Sequence, residues 1–148
     1  MQLYVPALAP VYATVRGYGY PLIRIITGLC LIPHGAQKLF EWFGGNRVAT
    51  AGLFSKVGLE PAMALTYLVG AVEFIGGILI IIGFLTRPAA ALIVMIMAVA
   101  VLKVHLGNGF FWTKLGYEYP LFWGVVALGL VFSGSGKLSV DDKLGKEF

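Results

Sequence analysis

Four long apolar segments divide the chain, and they constrain its fold more than any other feature. They cover about residues 20–40, 61–84, 88–106 and 119–133, the last being the shortest. A helix needs roughly 20 residues to cross about 30 Å of hydrocarbon. Inside lipid every backbone amide and carbonyl must be hydrogen-bonded, which favours helices over open strands. The pattern predicts an all-α fold: an integral membrane four-helix bundle forming a single membrane domain over residues 1–148.

Composition supports this prediction and excludes other classes of protein. Hydrophobic residues make up 59% of the chain and charged residues only 12%, about half the share in soluble domains. The net charge of +4 is small, and its basic residues lie mostly at segment ends and in loops, so no nucleic-acid partner is predicted. The single cysteine, Cys30, excludes an intrachain disulfide.

The connections between the segments predict the topology. Residues 41–60 are long enough for a short interfacial helix between spans 1 and 2, and the tight turn GFLTRP predicts an antiparallel pair. Residues 134–148 read as a short charged tail. Four spans place both termini on one side. A slight excess of Lys and Arg there favours the cytoplasmic side of a bacterial inner membrane.

The first segment carries a polar face that needs partners. Arg24, His34 and Lys38 recur at helical spacing, and charge facing lipid tails costs several kcal/mol. Counted at about 1.5 Å per residue from the cytoplasmic boundary, Glu73 of the second segment lies roughly 16 Å deep. His34 and Lys103, at about 21 and 22 Å by the same count, are its expected partners. The same count leaves Arg24 close enough to the membrane edge to snorkel outward.

These polar groups are the candidate site. A buried carboxylate beside an imidazole can relay a proton or bind a quinone oxygen, whereas the competing interpretation is that it only ties helices together. Cys30 and His34 alone are too few ligands for a metal, so no metal is predicted. We assign catalytic roles to Glu73 and His34 and cofactor-binding roles to Arg24, Gln37, Lys38, Lys103 and Trp123.

Three motifs in order carry a family resemblance: RIITGLCLIPHGAQKLF, EFIGGILIIIGFLTRPAA and GSGKLSVD. Together they resemble the DoxX family of small four-span membrane proteins over about residues 20–142. The one departure is Lys137, where the family more often has Arg. The resemblance implies a link to membrane redox chemistry, such as thiosulfate oxidation feeding quinone, or sulfur and oxidative-stress complexes. It points to the following positions without assigning them catalytic roles: Arg24, Gly28, His34, Gly35, Lys38, Glu73, Gly76, Gly77, Thr86 and Arg87.

The leading hypothesis is therefore an inner-membrane subunit of a quinone- or sulfur-linked redox system with a polar intramembrane site. Because the sequence has no haem, flavin or iron–sulfur motif, electrons would come from a partner, and the chain itself is either an enzyme or an accessory subunit of an oxidoreductase. Quinone is the one cofactor suggested. The expected partners are the lipid bilayer and either another protein or further copies of the chain. Two alternatives remain: a non-catalytic anchor or assembly subunit of a larger complex, and a carrier of small solutes or protons.

Overall fold

The computed structural model describes residues 3–148, which form helices and loops with no strand in that range. A 3₁₀ turn, Pro6–Leu8, precedes the first helix. The α-helices in chain order are α1 (Ala9–Val15), α2 (Gly19–Leu39), α3 (Arg47–Lys56), α4 (Ala62–Ile82), α5 (Thr86–Val99), α6 (Glu118–Ser133) and α7 (Val140–Leu144). A π-helical turn, Ala100–His105, and a 3₁₀ turn, Leu106–Asn108, extend α5.

The four predicted apolar segments are each helical. Ala62–Ile82 and Thr86–Asn108 are long and apolar enough to cross a membrane. Helix α2 has the length, at 21 residues, but carries Arg24 and Lys38. Helix α6 is apolar but has only 16 residues. The all-α prediction is confirmed, whereas crossing by α2 and α6 stays a prediction.

Helix α2 packs mainly against α4, and α5 packs mainly against α6, with α4 and α5 joining the two pairs. One apolar core receives a fully buried side chain from each of the four helices, namely Leu31, Ile80, Ile93 and Leu130. The outward faces are also apolar, with Leu29 of α2 about half exposed. Such a surface suits a bilayer rather than water.

Glycines bring α2 and α4 into backbone contact. A Cβ atom added to Gly28 would lie 2.4 Å from the carbonyl oxygen of Gly77. One added to Gly35 would lie 2.7 Å from the carbonyl oxygen of Gly70. Small residues allow membrane helices to approach this closely. The close contact sets the position of Lys38 opposite Glu73.

The predicted helix between the first two segments is α3. It begins after Asn46, whose side chain accepts a hydrogen bond from the Ala49 amide at 2.9 Å, as an N-cap residue does. Ala51 is buried against the protein, and α3 packs on α4. The helix therefore lies beside the end of the bundle that holds Lys38.

Candidate functional site

Glu73 lies near the middle of α4, and its side chain points into the protein. The residue is only 5% exposed, and its Oε2 atom is 2.6 Å from Nζ of Lys38 on α2. The inward orientation agrees with the sequence analysis, which had expected His34 or Lys103 as the ion partner. Lys38 makes the contact instead, because the glycine pairs bring its stretch of α2 against α4.

The Lys38–Glu73 pair keeps unused hydrogen-bonding capacity. Lys38 Nζ donates to Glu73 and to the carbonyl oxygen of His34, at 3.2 Å. An ammonium group has three N–H donors, and a carboxylate can accept on both oxygens. Among the described residues, no bond uses the third N–H or the Oε1 atom of Glu73. The Lys38 side chain is 17% exposed and that of Glu73 7%, so the pair lies at a partly exposed edge with one donor and one acceptor unused.

His34 and Gln37 flank the pair on α2. His34 lies one turn before Lys38, and its side chain is exposed. Gln37 is partly buried and donates through Nε2 to the Phe43 carbonyl oxygen at 3.2 Å, closing the loop that follows α2. The structure thus places His34 at the outer edge of the pair, and it gives Gln37 a local structural bond.

Lys103 does not join the pair. It is exposed on the π-helical turn and forms no salt bridge with a carboxylate in residues 3–148. Counting at α-helical spacing failed here because a π turn has more residues per turn and rotates the side chains that follow it. Trp123 of α6 is half-buried and packs against the apolar core.

Arg47 supports the pair, a role that the sequence analysis missed. Its Nε atom donates to the Lys38 carbonyl oxygen at 2.8 Å, and its guanidinium also donates to the Leu39 carbonyl. It bonds the Tyr67 hydroxyl at 2.9 Å and lies 4.7 Å from that ring's centroid. The last carbonyls of a helix lack intrahelical donors. A basic residue shortly after α2 was therefore the sequence signal that could have predicted this capping role.

Arg24 belongs to a different cluster, and the snorkelling prediction for it is wrong. It is 1% exposed. Its guanidinium donates to the carbonyl oxygens of Ile80, Ile81 and Leu138, at 2.8, 3.0 and 2.8 Å. These protein carbonyls replace water, so the side chain turns inward. Arg24 also lies 14 positions before Lys38, about 21 Å along the helix axis, too far to share a small ligand with it.

Asp141 makes the predicted charged tail part of the fold. It is 4% exposed, and its amide donates to the Gly83 carbonyl oxygen at 3.0 Å. Its carboxylate accepts from the amides of Leu85 and Thr86, at 3.1 and 3.4 Å. These amides open α5, so Asp141 caps that helix from another segment. The available signal was the Asp that ends the third sequence motif.

Arg87, one of the positions to which the family resemblance points, also fastens this tail. Its Nε atom donates to the Val131 carbonyl oxygen at 3.1 Å, and its guanidinium lies 3.4 Å from the Glu147 carboxylate. The pKa of Glu147 is lowered by the hydrogen bond from the Ser135 amide and, to a smaller extent, by the Arg87 charge. In the GSGKLSVD segment, Gly134 follows the end of α6 and Ser139 caps α7.

Comparisons with known proteins agree with this arrangement of helices and motifs. The family model described as DoxX matches residues 19–106. An uncharacterized Haemophilus influenzae protein is 33% identical over 89% of this chain and 95% of its own length. A Bacillus subtilis protein named "Putative oxidoreductase CatD" is 32% identical over 83% of this chain and 84% of its length. An uncharacterized membrane protein of Mycobacterium tuberculosis is 35% identical over 84% of this chain and 80% of its length.

No solved structure matches the chain. The family match spans more than half of the chain, from the start of α2 to the extension of α5. Relatives of similar length match most of the chain, and one of them is named as a membrane protein. The chain is a membrane protein and belongs to the DoxX family.

Proposed function

We propose that this protein is a multi-pass subunit of a quinone-linked redox system in a bacterial inner membrane. All four apolar helices cross the bilayer in this proposal, with both termini in the cytoplasm. The proposal rests mainly on the Lys38–Glu73 pair. One N–H donor and one carboxylate oxygen of this pair are not used in hydrogen bonds, and its edge is partly exposed. The name of the Bacillus subtilis relative supports a redox setting.

The unused groups fit a quinone and its reduced form. A quinone carbonyl accepts hydrogen bonds, and a quinol hydroxyl donates them, so Lys38 Nζ and Glu73 Oε1 complement the two states. Oxidation of a quinol at this site would release two electrons, which a partner redox protein would take up, and two protons, which Glu73 would accept one after the other at Oε1. His34, exposed one turn away, takes each proton toward the surface. Buried charge makes these hydrogen bonds stronger than in water.

Quinone binding by the full chain in lipid nanodiscs tests this proposal. A short-chain quinone analogue quenches tryptophan fluorescence, and a titration gives its Kd. We expect Lys38→Met to weaken binding by about 10- to 150-fold, because the lost bond from a charged donor is worth about 1.5–3 kcal/mol. Lys56→Met, an exposed lysine of α3, is the matched control and should leave the Kd unchanged.

The unfolding temperature of the same samples distinguishes a direct role of these residues in quinone binding from a role in stabilising the fold. Glu73→Gln should weaken binding of the reduced, quinol form of the analogue while the protein remains monodisperse, because a neutral amide oxygen accepts a hydrogen bond less strongly than a carboxylate does. Equal quinone affinity in Lys38→Met, Glu73→Gln and the original chain would reject the proposal.

A non-catalytic anchor or assembly subunit is the second candidate. The observation favouring it is that the other buried charged side chains, Arg24 and Asp141, bond only to the protein's own backbone. On this account, Glu73→Gln lowers the unfolding temperature and the yield of a co-purified complex, and no quinone binds. A partner would contact the outer face of α3, where Val48 is 70% exposed. Val48→Asp tests that contact, whereas Arg47 is unsuitable because its loss would disturb α2.

A further inference from the structure

The N-terminal helix packs only weakly on the rest of the described chain. Helix α1 and the 3₁₀ turn before it contribute no buried residue. Val11 and Val15 are at least half exposed, at 55% and 50%. An isolated helix of seven residues is too short to be stable in water. An apolar helix of this kind is stabilised by the boundary between lipid headgroups and acyl chains.

A groove of about 730 Å³ separates this segment from the turn that follows α6. Thr14, Tyr18 and Pro21 form part of one wall, and residues 136–138 form the other. Arg16 and Lys137 contribute one cation from each side, and no acidic residue lines the groove. Both side chains are exposed, and neither side chain forms a hydrogen bond or a salt bridge with a residue in the range 3–148. Two unpaired positive charges therefore face the same space.

The wall that carries Lys137 is held in place by the interior of the protein. Arg24 donates to the carbonyl oxygen of Leu138 at 2.8 Å, and the Ser139 hydroxyl donates to that of Gly136 at 2.6 Å. Gly136 has a positive φ of 64°, and a Cβ atom there would lie 2.6 Å from the Tyr20 ring. The groove is thus built on the buried Arg24 cluster, and its basic edge is positioned before any ligand arrives.

We propose that this groove binds the phosphate of an anionic phospholipid between Arg16 and Lys137. The charge of a phosphodiester complements two cations in a groove that no acidic residue lines, and basic pockets at membrane surfaces recognise such headgroups. The rim is apolar as well, since Tyr18 and Leu138 are each 61% exposed. A free phosphate ion has no apolar part that could contact this rim, whereas the glycerol and upper acyl chain of a lipid cover it. The site is separate from the Lys38–Glu73 pair and does not depend on redox chemistry.

Lipid association in bilayers tests the site. The full chain is reconstituted in phosphatidylcholine vesicles carrying spin-labelled phosphatidylglycerol or spin-labelled phosphatidylcholine, and electron paramagnetic resonance gives the ratio of their association constants. Each cation near an anionic headgroup contributes about fivefold to such a ratio. The double variant Arg16→Gln/Lys137→Gln should therefore reduce the preference for phosphatidylglycerol by about 25-fold.

The control also removes two positive charges, but from positions of the tail that lie outside the groove. Lys143 and Lys146 are exposed and do not line the groove, so Lys143→Gln/Lys146→Gln should keep most of the preference. Equal losses in the two double variants would overturn the proposal in favour of unspecific attraction. Displacement of the lipid by inorganic phosphate, compared with chloride at equal ionic strength, would overturn it in favour of a free-anion site. Unchanged preference in the Arg16→Gln/Lys137→Gln variant would reject any role for the groove.

Discussion

The bond from Arg24 to Leu138 should decide how firmly the C-terminal tail is held. Arg24→Met keeps the length of the side chain but removes the donor that reaches Leu138 O at 2.8 Å. A hydrogen bond from a charged group contributes about 1.5–3 kcal/mol. At about 1.4 kcal/mol per tenfold change, opening of the tail should become about 10- to 150-fold more populated. The α4 carbonyls at Ile80 and Ile81 also lose their donor, which lowers global stability further.

Limited proteolysis in nanodiscs measures this opening. Trypsin cleaves after Lys137 only when the tail detaches, and under conditions of fast reclosing the cleavage rate follows the open population. Lys56→Met is the control, because Lys56 is exposed on α3 and lies outside these bonds and outside the groove that Arg16 and Lys137 line. A cleavage rate in Arg24→Met within about twofold of the control, well below the change expected from the lost bond, would refute the reasoning.

Two further perturbations test the packing and the tail. Gly28→Ala should destabilise the protein by about 1–3 kcal/mol, seen as a lower unfolding temperature, because the added Cβ meets the Gly77 carbonyl at 2.4 Å. Gly129→Ala, which meets nothing within 4 Å, should cause no loss. The lowered pKa of Glu147 means that its stabilising contribution is present above the ordinary value of 4.5 and is lost as pH falls through its folded-state pKa. Tail cleavage measured with an acid protease should accelerate below pH 4.5 in the original chain, and Glu147→Gln should flatten that dependence.

The helices could be predicted from sequence because lipid imposes simple requirements on length and polarity. The apolar runs at 61–84 and 88–106 correspond to within a few residues to α4 and to α5 with its extension, Thr86–Asn108. The inward direction of Glu73 followed from the cost of charge in hydrocarbon. The close contact at Gly70 and Gly77 followed from the small size of glycine.

The pairings could not be predicted, because they depend on register and on backbone acceptors that the sequence does not display. The π turn removed Lys103 from the face where α-helical counting had placed it. Arg24 turned inward because carbonyls from α4 and from residue 138, far away in sequence, converge on it. Asp141 is similar, since its role depends on amides more than 50 positions earlier, at Leu85 and Thr86.

The Lys38–Glu73 pair is the central feature of the account, and solid-state NMR in lipid bilayers tests it most directly. The measurement is the dipolar coupling between Lys38 Nζ and the Glu73 carboxyl carbon, recorded with and without a short-chain quinone analogue. A contact of 2.6 Å between Nζ and Oε2 predicts a strong coupling, and quinone binding predicts a shift of the Nζ resonance while the coupling persists. No detectable coupling, or a Nζ resonance unmoved at saturating quinone, would contradict the account.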